Sequence, residues 1–204
     1  LPVRLVSLNF WALKPTGFLG FTFRCIQRGG ELQTSPESPR VGFYATKPLP
    51  QPMLTMNRER IEHGLKHTGG PVEWWTINHT PMMRIGRLFI FGVLYPFMDL
   101  KRKMQGLPGY QNPPAWEITV RVVLQNKQGD VLWGKPAVGW QLPGGLVEGM
   151  VAPWDTAVSL TQQQTTLTPR LQDLRGVYVT EGTSQITLVF TAVADSTATH
   201  SAQT

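Results

Sequence analysis

Cysteine is almost missing from this sequence: Cys25 is the single one in 204 residues. An internal disulfide is therefore excluded, and so is a cysteine cluster for zinc. The expectation for Cys25 is a small buried hydrophobe. Long apolar runs are missing as well. A spanning helix needs about 20 such residues, and the nearest candidate, Leu88 to Met98, is interrupted by Gly92 and Pro96. No transmembrane span is expected. There is no internal repeat, no Walker-type phosphate loop and no G-x-S-x-G nucleophile turn. The aromatic signature of an RRM and the Cys/His spacing of a finger are also absent.

What is present is a chain 41% hydrophobic and 16% charged, enough to build a core with fewer charges than usual. The net charge of +6 is unevenly placed. Residues 1–110 hold fourteen Lys/Arg against six Asp/Glu, whereas residues 111–204 hold five against seven. A basic N-terminal half can attract a polyanion, an anionic lipid surface or a protein partner. The first thirty residues carry four bases and no acid, a partial likeness to a targeting segment that the Phe, Trp and Gly content weakens.

In chain order, Val3–Val6 and Phe18–Ile26 read as short strands, with half-buried alternation in Phe21-Thr22-Phe23-Arg24. Five prolines between residues 31 and 56 make that stretch an irregular linker. Asn57 is the expected cap of a helix over Arg58–His67, stopped by Gly69-Gly70. His63 and His67, four apart, would share a face, with His79 as the only nearby third ligand; a solvated helix face is the expectation and no metal is assigned. Trp74–Ile77 reads as a strand. Leu88–Met98 reads as a strand pair or a buried helix, followed by Lys101-Arg102-Lys103. That juxtaposition suggests a surface lying on a membrane or a partner, but a core element with a solvated turn is the favoured reading. Pro108-Gly109 and Pro113-Pro114 mark a boundary.

Beyond it the pattern becomes regular. Ile118–Leu124 is rich in β-branched residues and reads as a strand. Asn126–Asp130 forms a turn, and Val131-Leu132-Trp133 begins a return strand. Trp140-Gln141-Leu142 leads into Pro143-Gly144-Gly145. Pro153 suits the first turn of a helix over Trp154–Thr165, with Ala157, Val158 and Leu160 available to bury and Thr161 beside them. Thr168-Pro169 stops it. Gly176–Thr180 and Gln185–Ala194 form a second hairpin around Glu181–Ser184.

The order W-x-L-P-G-G, then a valine and a glutamate, then a helix carrying an alanine resembles the Nudix family of nucleoside-diphosphate-linked pyrophosphohydrolases. That family's box reads G-x5-E-x7-R-E-U-x-E-E-x-G-U, where U is bulky and aliphatic. Counted from Gly145, the upstream Glu position holds Val151, and Ser159 and Leu160 replace the Arg-Glu pair. Thr161 takes the first aliphatic position, Gln163 and Gln164 replace the Glu pair, Thr166 replaces the second glycine, and Leu167 closes the box. Positions 160, 163 and 164 share a helical face. In active members that face carries glutamates holding magnesium, which leucine and neutral amides replace poorly.

The resemblance implies an α+β fold over residues 115–195: a Nudix-like mixed β-sheet with one packed helix. Residues 1–110 would form a β-rich, irregular N-terminal extension or small domain, and 196–204 a disordered tail. Family members continue with another strand and a closing helix, so either the N-terminal half supplies the missing layer or a partner does. The expected function is a degenerate Nudix-fold protein that binds a nucleotide-type small molecule or a partner without hydrolysis. Trp140, Leu142, Gly144 and Gly145 are the expected ligand contacts. Trp133, Trp140 and Tyr178 could stack on a base, although core packing is the favoured reading for each aromatic. No metal site and no cofactor are assigned. An alternative keeps hydrolysis through displaced carboxylates, Glu148 and Asp155, the only acids between Gly139 and Leu167; only then is magnesium required. Asp155 also suits a helix N-terminus on dipole grounds alone. A third reading is an assembly subunit touching nucleic acid or anionic lipid through the basic half.

Overall fold

A computed structural model describes residues 3–13, 16–35, 38–77, 85–86, 88–106, 115–134 and 139–194. The expected tail at 196–204, His79, and the Pro108-Gly109 and Pro113-Pro114 boundary lie outside them. The fold is α+β, with two sheets.

The first sheet is a long hairpin of β1 (Val3–Leu13) and β2 (Thr16–Cys25), with the short β3 (Glu73–Thr76) parallel to β1 on its other edge. Two continuous strands replace the shorter runs expected here. A register shift between Leu5 and Ser7 marks a bulge, which re-aims side chains along the strand. Leu8 and Phe10 then point into the main core, while Ser7 and Asn9 are buried on the alternate face. Helix α1 (Thr55–Lys66) lies over that second face, where Gly64 sits against Thr22 and Val6. Leu54, not Asn57, is its N-cap and makes no side-chain capping bond. Asn57 instead falls inside the first turn, its backbone N–H bonded to Leu54 O. Between β2 and α1 the described residues are irregular, as the prolines require. Cys25 ends β2 and is exposed, which corrects the buried expectation: β2 is an edge strand, and Cys25 lies at its very end.

The second sheet has the order β5-β4-β7-β6. β4 (Glu117–Gln125) and β7 (Gln185–Ala194) run parallel from Glu117↔Gln185 to Gln125↔Val193. β6 (Pro169–Val179) is antiparallel to β7, and β5 (Gly144–Leu146) is antiparallel to β4. The sheet is therefore mixed, as expected. β6 begins seven residues before the expected Gly176: Pro169, read as a helix stop, also serves as the first residue of the strand, a place where a missing N–H is tolerated.

Alternation puts Val120, Val122 and Leu124 of β4 on one face with Leu188, Phe190 and Ala192 of β7. Leu8 and Phe10 of the first sheet join the same core, as do Trp154 and Ala157 of the helix described below. Phe10 meets Trp154 edge to face at 6.4 Å, and Trp74 meets Phe190 at 5.7 Å. Such aromatic pairs add about 0.5–1.5 kcal/mol each beyond their buried area. The Asp173 carboxylate of β6 accepts the backbone N–H of Val72 at 2.7 Å, a polar tie between the two sheets. The layer over the second sheet is thus supplied by the N-terminal half.

Residues 85–86, 88–89 and Ile90–Leu94 are helical, the last as a π-turn, and run into α2 (Tyr95–Met104). This settles Leu88–Met98 as helix. The burial expected of it does not hold: α2 contains no buried residue, and Leu88, Phe89, Val93 and Phe97 are exposed.

Candidate functional site

The stretch from Val131 to Leu167 wraps one edge of β4. Asn126 organises the turn before it: its Oδ1 accepts N–H bonds from Gln128 and Asp130 at 3.0 and 2.9 Å, an Asx-type closure. The return strand is then very short. Val131 bridges Gln125, and Leu132 N–H reaches Leu124 O at 2.9 Å. The chain next leaves the ladder and comes back at Pro143, whose carbonyl accepts from Val122 N–H at 2.9 Å. The strand Gly144–Leu146 completes the edge, against Arg121, Val120 and Thr119. The hairpin partner expected of Val131–Trp133 is thus divided between two short pieces. The excursion is closed at its neck by reciprocal bonds between Gly134 and Gln141, both 2.8 Å. It carries Trp133 and Trp140, which are exposed, as is Tyr178. Core packing was the favoured reading for these three aromatics and does not hold. Each lies outside the buried faces of the strands.

Gly144 is required twice over. Its φ is +136°, a conformation open to glycine only, and a Cβ there would lie 2.1 Å from Val120 O. Gly145 is less constrained: a Cβ would meet Leu160 Cδ1 at 3.1 Å.

Helix α3 spans Pro153–Thr165, matching the expected helix with Pro153 as its first residue. Trp154, Thr156, Ala157 and Thr161 are buried along it, whereas Val158 and Leu160 are only half-buried. The main apolar anchor is therefore Trp154. Asp155 stands in the first turn and is exposed, as is Glu148. At the other end Thr166 takes the left-handed conformation, with φ 61°, and donates its N–H to Gln162 O at 2.9 Å. A helix ending in this way favours glycine.

Gln164 makes the central polar contact of the site. Its Oε1 accepts from Gly144 N–H and its Nε2 donates to Gly144 O, each at 2.9 Å. One neutral amide therefore pairs with one peptide group and fastens the end of α3 to the Pro-Gly-Gly turn. Gln163 Nε2 donates to Ser159 Oγ at 3.3 Å. Beside this contact lies a cleft of about 380 Å³ lined by Leu132, Trp133, Pro143, Thr165, Leu167 and Gln164. Of the expected ligand contacts, Gly144 is buried and held by Gln164, Gly145 and Leu142 are half-buried, and Trp140 is exposed. None of the four lines the cleft, although Pro143 between them does.

The residues do not fit a magnesium site. Val151 and Leu160 offer no oxygen ligand, Gln163 offers only a neutral amide, and both polar atoms of Gln164 are committed to Gly144. Among the described residues no group of three His, Cys, Asp or Glu side chains is placed to hold a metal.

Solved structures similar to part of the chain include a MutT protein. That protein, from Methanosarcina mazei Go1, shares 20% identity with a TM-score of 0.31, over 41% of this chain and 65% of its own. An E. coli protein, ORF135, shares 15% identity with a TM-score of 0.34, over 41% of this chain and 66% of its own. A Sinorhizobium meliloti 1021 protein, provisionally assigned as an oxidoreductase, shares 29% identity with a TM-score of 0.34, over 39% of this chain and 27% of its own. In each case the match spans less than two thirds of the solved chain. No protein-family profile and no curated protein matches the chain.

The histidines expected to share a helix face are separated by the structure. His63 Nδ1 lies 2.6 Å from Glu73 Oε2, and its ring stacks on Trp75 at 4.2 Å. His67 is past the end of α1 and buried; its carbonyl accepts from Arg24. The amide pairing of Gln164 is the contact that reading the sequence missed. The available signal was a glutamine where the resemblance expects glutamate, since an amide, unlike a carboxylate, can both donate and accept.

Proposed function

We propose that this chain is a Nudix-fold protein that has lost metal-dependent pyrophosphohydrolase activity and binds a nucleotide-type ligand at the cleft beside Trp133. The observation that carries the reading is the double hydrogen bond between Gln164 and Gly144. A side chain at a metal-ligand position of the box has become a neutral clamp between helix and loop. Magnesium dehydrates reluctantly and needs charged oxygen ligands, which this helix face does not offer. The ligand reading is supported by the cleft itself: an exposed indole at the rim, with Leu132, Leu167 and Pro143 as apolar walls. That combination suits a flat base stacked on Trp133. No cofactor belongs to this proposal.

The test has two arms. The protein is incubated with magnesium and ADP-ribose, dinucleoside polyphosphates or nucleoside triphosphates, and released phosphate and mononucleotide are measured; none above the buffer control is expected. Melting temperature is then followed against the same nucleotides without metal. A rise in the unmodified protein that is absent in Trp133→Ala supports the cleft. Robust turnover lost on Glu148→Gln or Asp155→Asn would overturn the proposal in favour of displaced-carboxylate hydrolysis.

A further inference from the structure

The helical run from Leu88 to Met104 exposes a series of large apolar side chains. Leu88, Val93, Phe97, Leu100 and Met104 are exposed, with 74% and 82% of Leu88 and Met104 open to solvent. Phe89, Val93, Phe97, Leu100 and Met104 recur every three or four residues and fall on one stripe, with Lys101, Arg102 and Lys103 off it. A helix with an apolar stripe and basic residues on its other side suits the interface of an anionic bilayer. No core of the described residues covers this one.

Length decides how a bilayer could take it. The eleven residues Leu88–Met98 span ~16 Å as helix, about half of the ~30 Å hydrocarbon thickness. Among the described residues no helix is long and apolar enough to cross a membrane. A short apolar helix of this kind lies within one leaflet, near the headgroups. The charges match that depth. Arg84 and Arg87 precede the run, and Lys101, Arg102 and Lys103 follow it, with Asp99 the only acid between Arg84 and Met104. Lys103 pairs with Asp99 at 2.8 Å, while Lys101 is exposed. Basic side chains beside an apolar face reach anionic headgroups while their stems stay in the apolar zone.

We propose that residues 88–104 dock this protein onto an anionic phospholipid surface, the apolar face of the helix entering one leaflet and the bases Lys101, Arg102 and Lys103 engaging the headgroups. The site is separate from the cleft beside Trp133, so either proposal can fail without the other.

The full chain is mixed with phosphatidylcholine vesicles containing 30% or no phosphatidylserine, and the bound fraction is measured by flotation. Binding to the anionic vesicles is expected, falling as salt is raised. Val93→Asp with Phe97→Asp should lower partitioning more than ten-fold. Lys101→Ser should lower it about five-fold on anionic vesicles only, since each base near the surface contributes about 1 kcal/mol. Both changes are at exposed positions, so far-UV circular dichroism and melting temperature should not move. No binding to anionic vesicles, or equal binding by the Val93→Asp, Phe97→Asp variant, would sink the proposal. So would self-association in sedimentation, abolished by that variant, without vesicle binding; the helix would then be a contact between copies.

Discussion

Gln164 has two committed polar atoms, so replacing it by glutamate is not a small change. A carboxylate can still accept from Gly144 N–H, but its second oxygen would face Gly144 O, now 2.9 Å from Nε2. One hydrogen bond is lost and two acceptors are opposed. Gln164→Glu is expected to destabilise the fold by about 1–3 kcal/mol at neutral pH, measured by urea unfolding. The deficit should shrink as pH falls, because a protonated carboxyl regains a donor. Folding raises that group's affinity for the proton, so its relative stability is greatest in acid and is lost as pH rises. Thr166 gives the opposite outcome. A β-branched residue with φ 61° is strained, and its side chain is exposed. Thr166→Gly should raise stability by about 1 kcal/mol, read as a melting temperature about 2–4 °C higher. Gly144→Ala should be the most damaging of these changes, since no side chain fits 2.1 Å from Val120 O; loss of the native near-ultraviolet signal would show it.

The element that depends most on distant partners is α3. Its hydrophobic positions read from sequence were Ala157, Val158 and Leu160, yet Trp154 is the residue that reaches Phe10 across the two sheets. Trp154→Ala should cost about 3–5 kcal/mol by the cavity it leaves. A double-mutant cycle with Phe10→Leu should return a coupling of about 0.5–1.5 kcal/mol; additivity within error would mean that the ring contact is not formed in solution. The extent of β5 shows the same dependence. Three residues, Gly144–Leu146, form a strand only because β4 offers an open edge there. Nothing in the pattern Gly-Gly-Leu announces a strand.

At the scale of the molecule, the hairpin of β1 and β2 covers the face of the second sheet through Leu8 and Phe10. Deleting residues 1–25 would expose that face, and the shortened chain is expected to bind a hydrophobic dye such as ANS and to lose cooperative unfolding. Charge acts on the same scale. The excess of fourteen bases over six acids in residues 1–110 should hold the full chain on heparin at low salt, with affinity falling steeply as salt rises. Lys101→Ser and Arg58→Ser should weaken retention, whereas Arg170→Ser should not. Magnesium alone should leave the melting temperature unchanged, because a ligand stabilises only the state that binds it.

Periodicity and turn chemistry were enough to place β4, α3 and β7 nearly residue for residue, since β-branched alternation and a proline at a helix start are local signals. The Asn126 turn and the positive-φ glycine of the Pro-Gly-Gly loop are equally local. Pairing and burial were not local. Whether Leu88–Met98 is covered, whether Trp133 and Trp140 pack inside, and which strand completes the β4 edge depend on what the rest of the chain brings alongside. The same holds for Gln164, whose amide is twenty residues from Gly144 in sequence. Its side-chain chemistry allows a metal-free clamp, but only the closure of α3 onto the loop sets donor and acceptor against one peptide group.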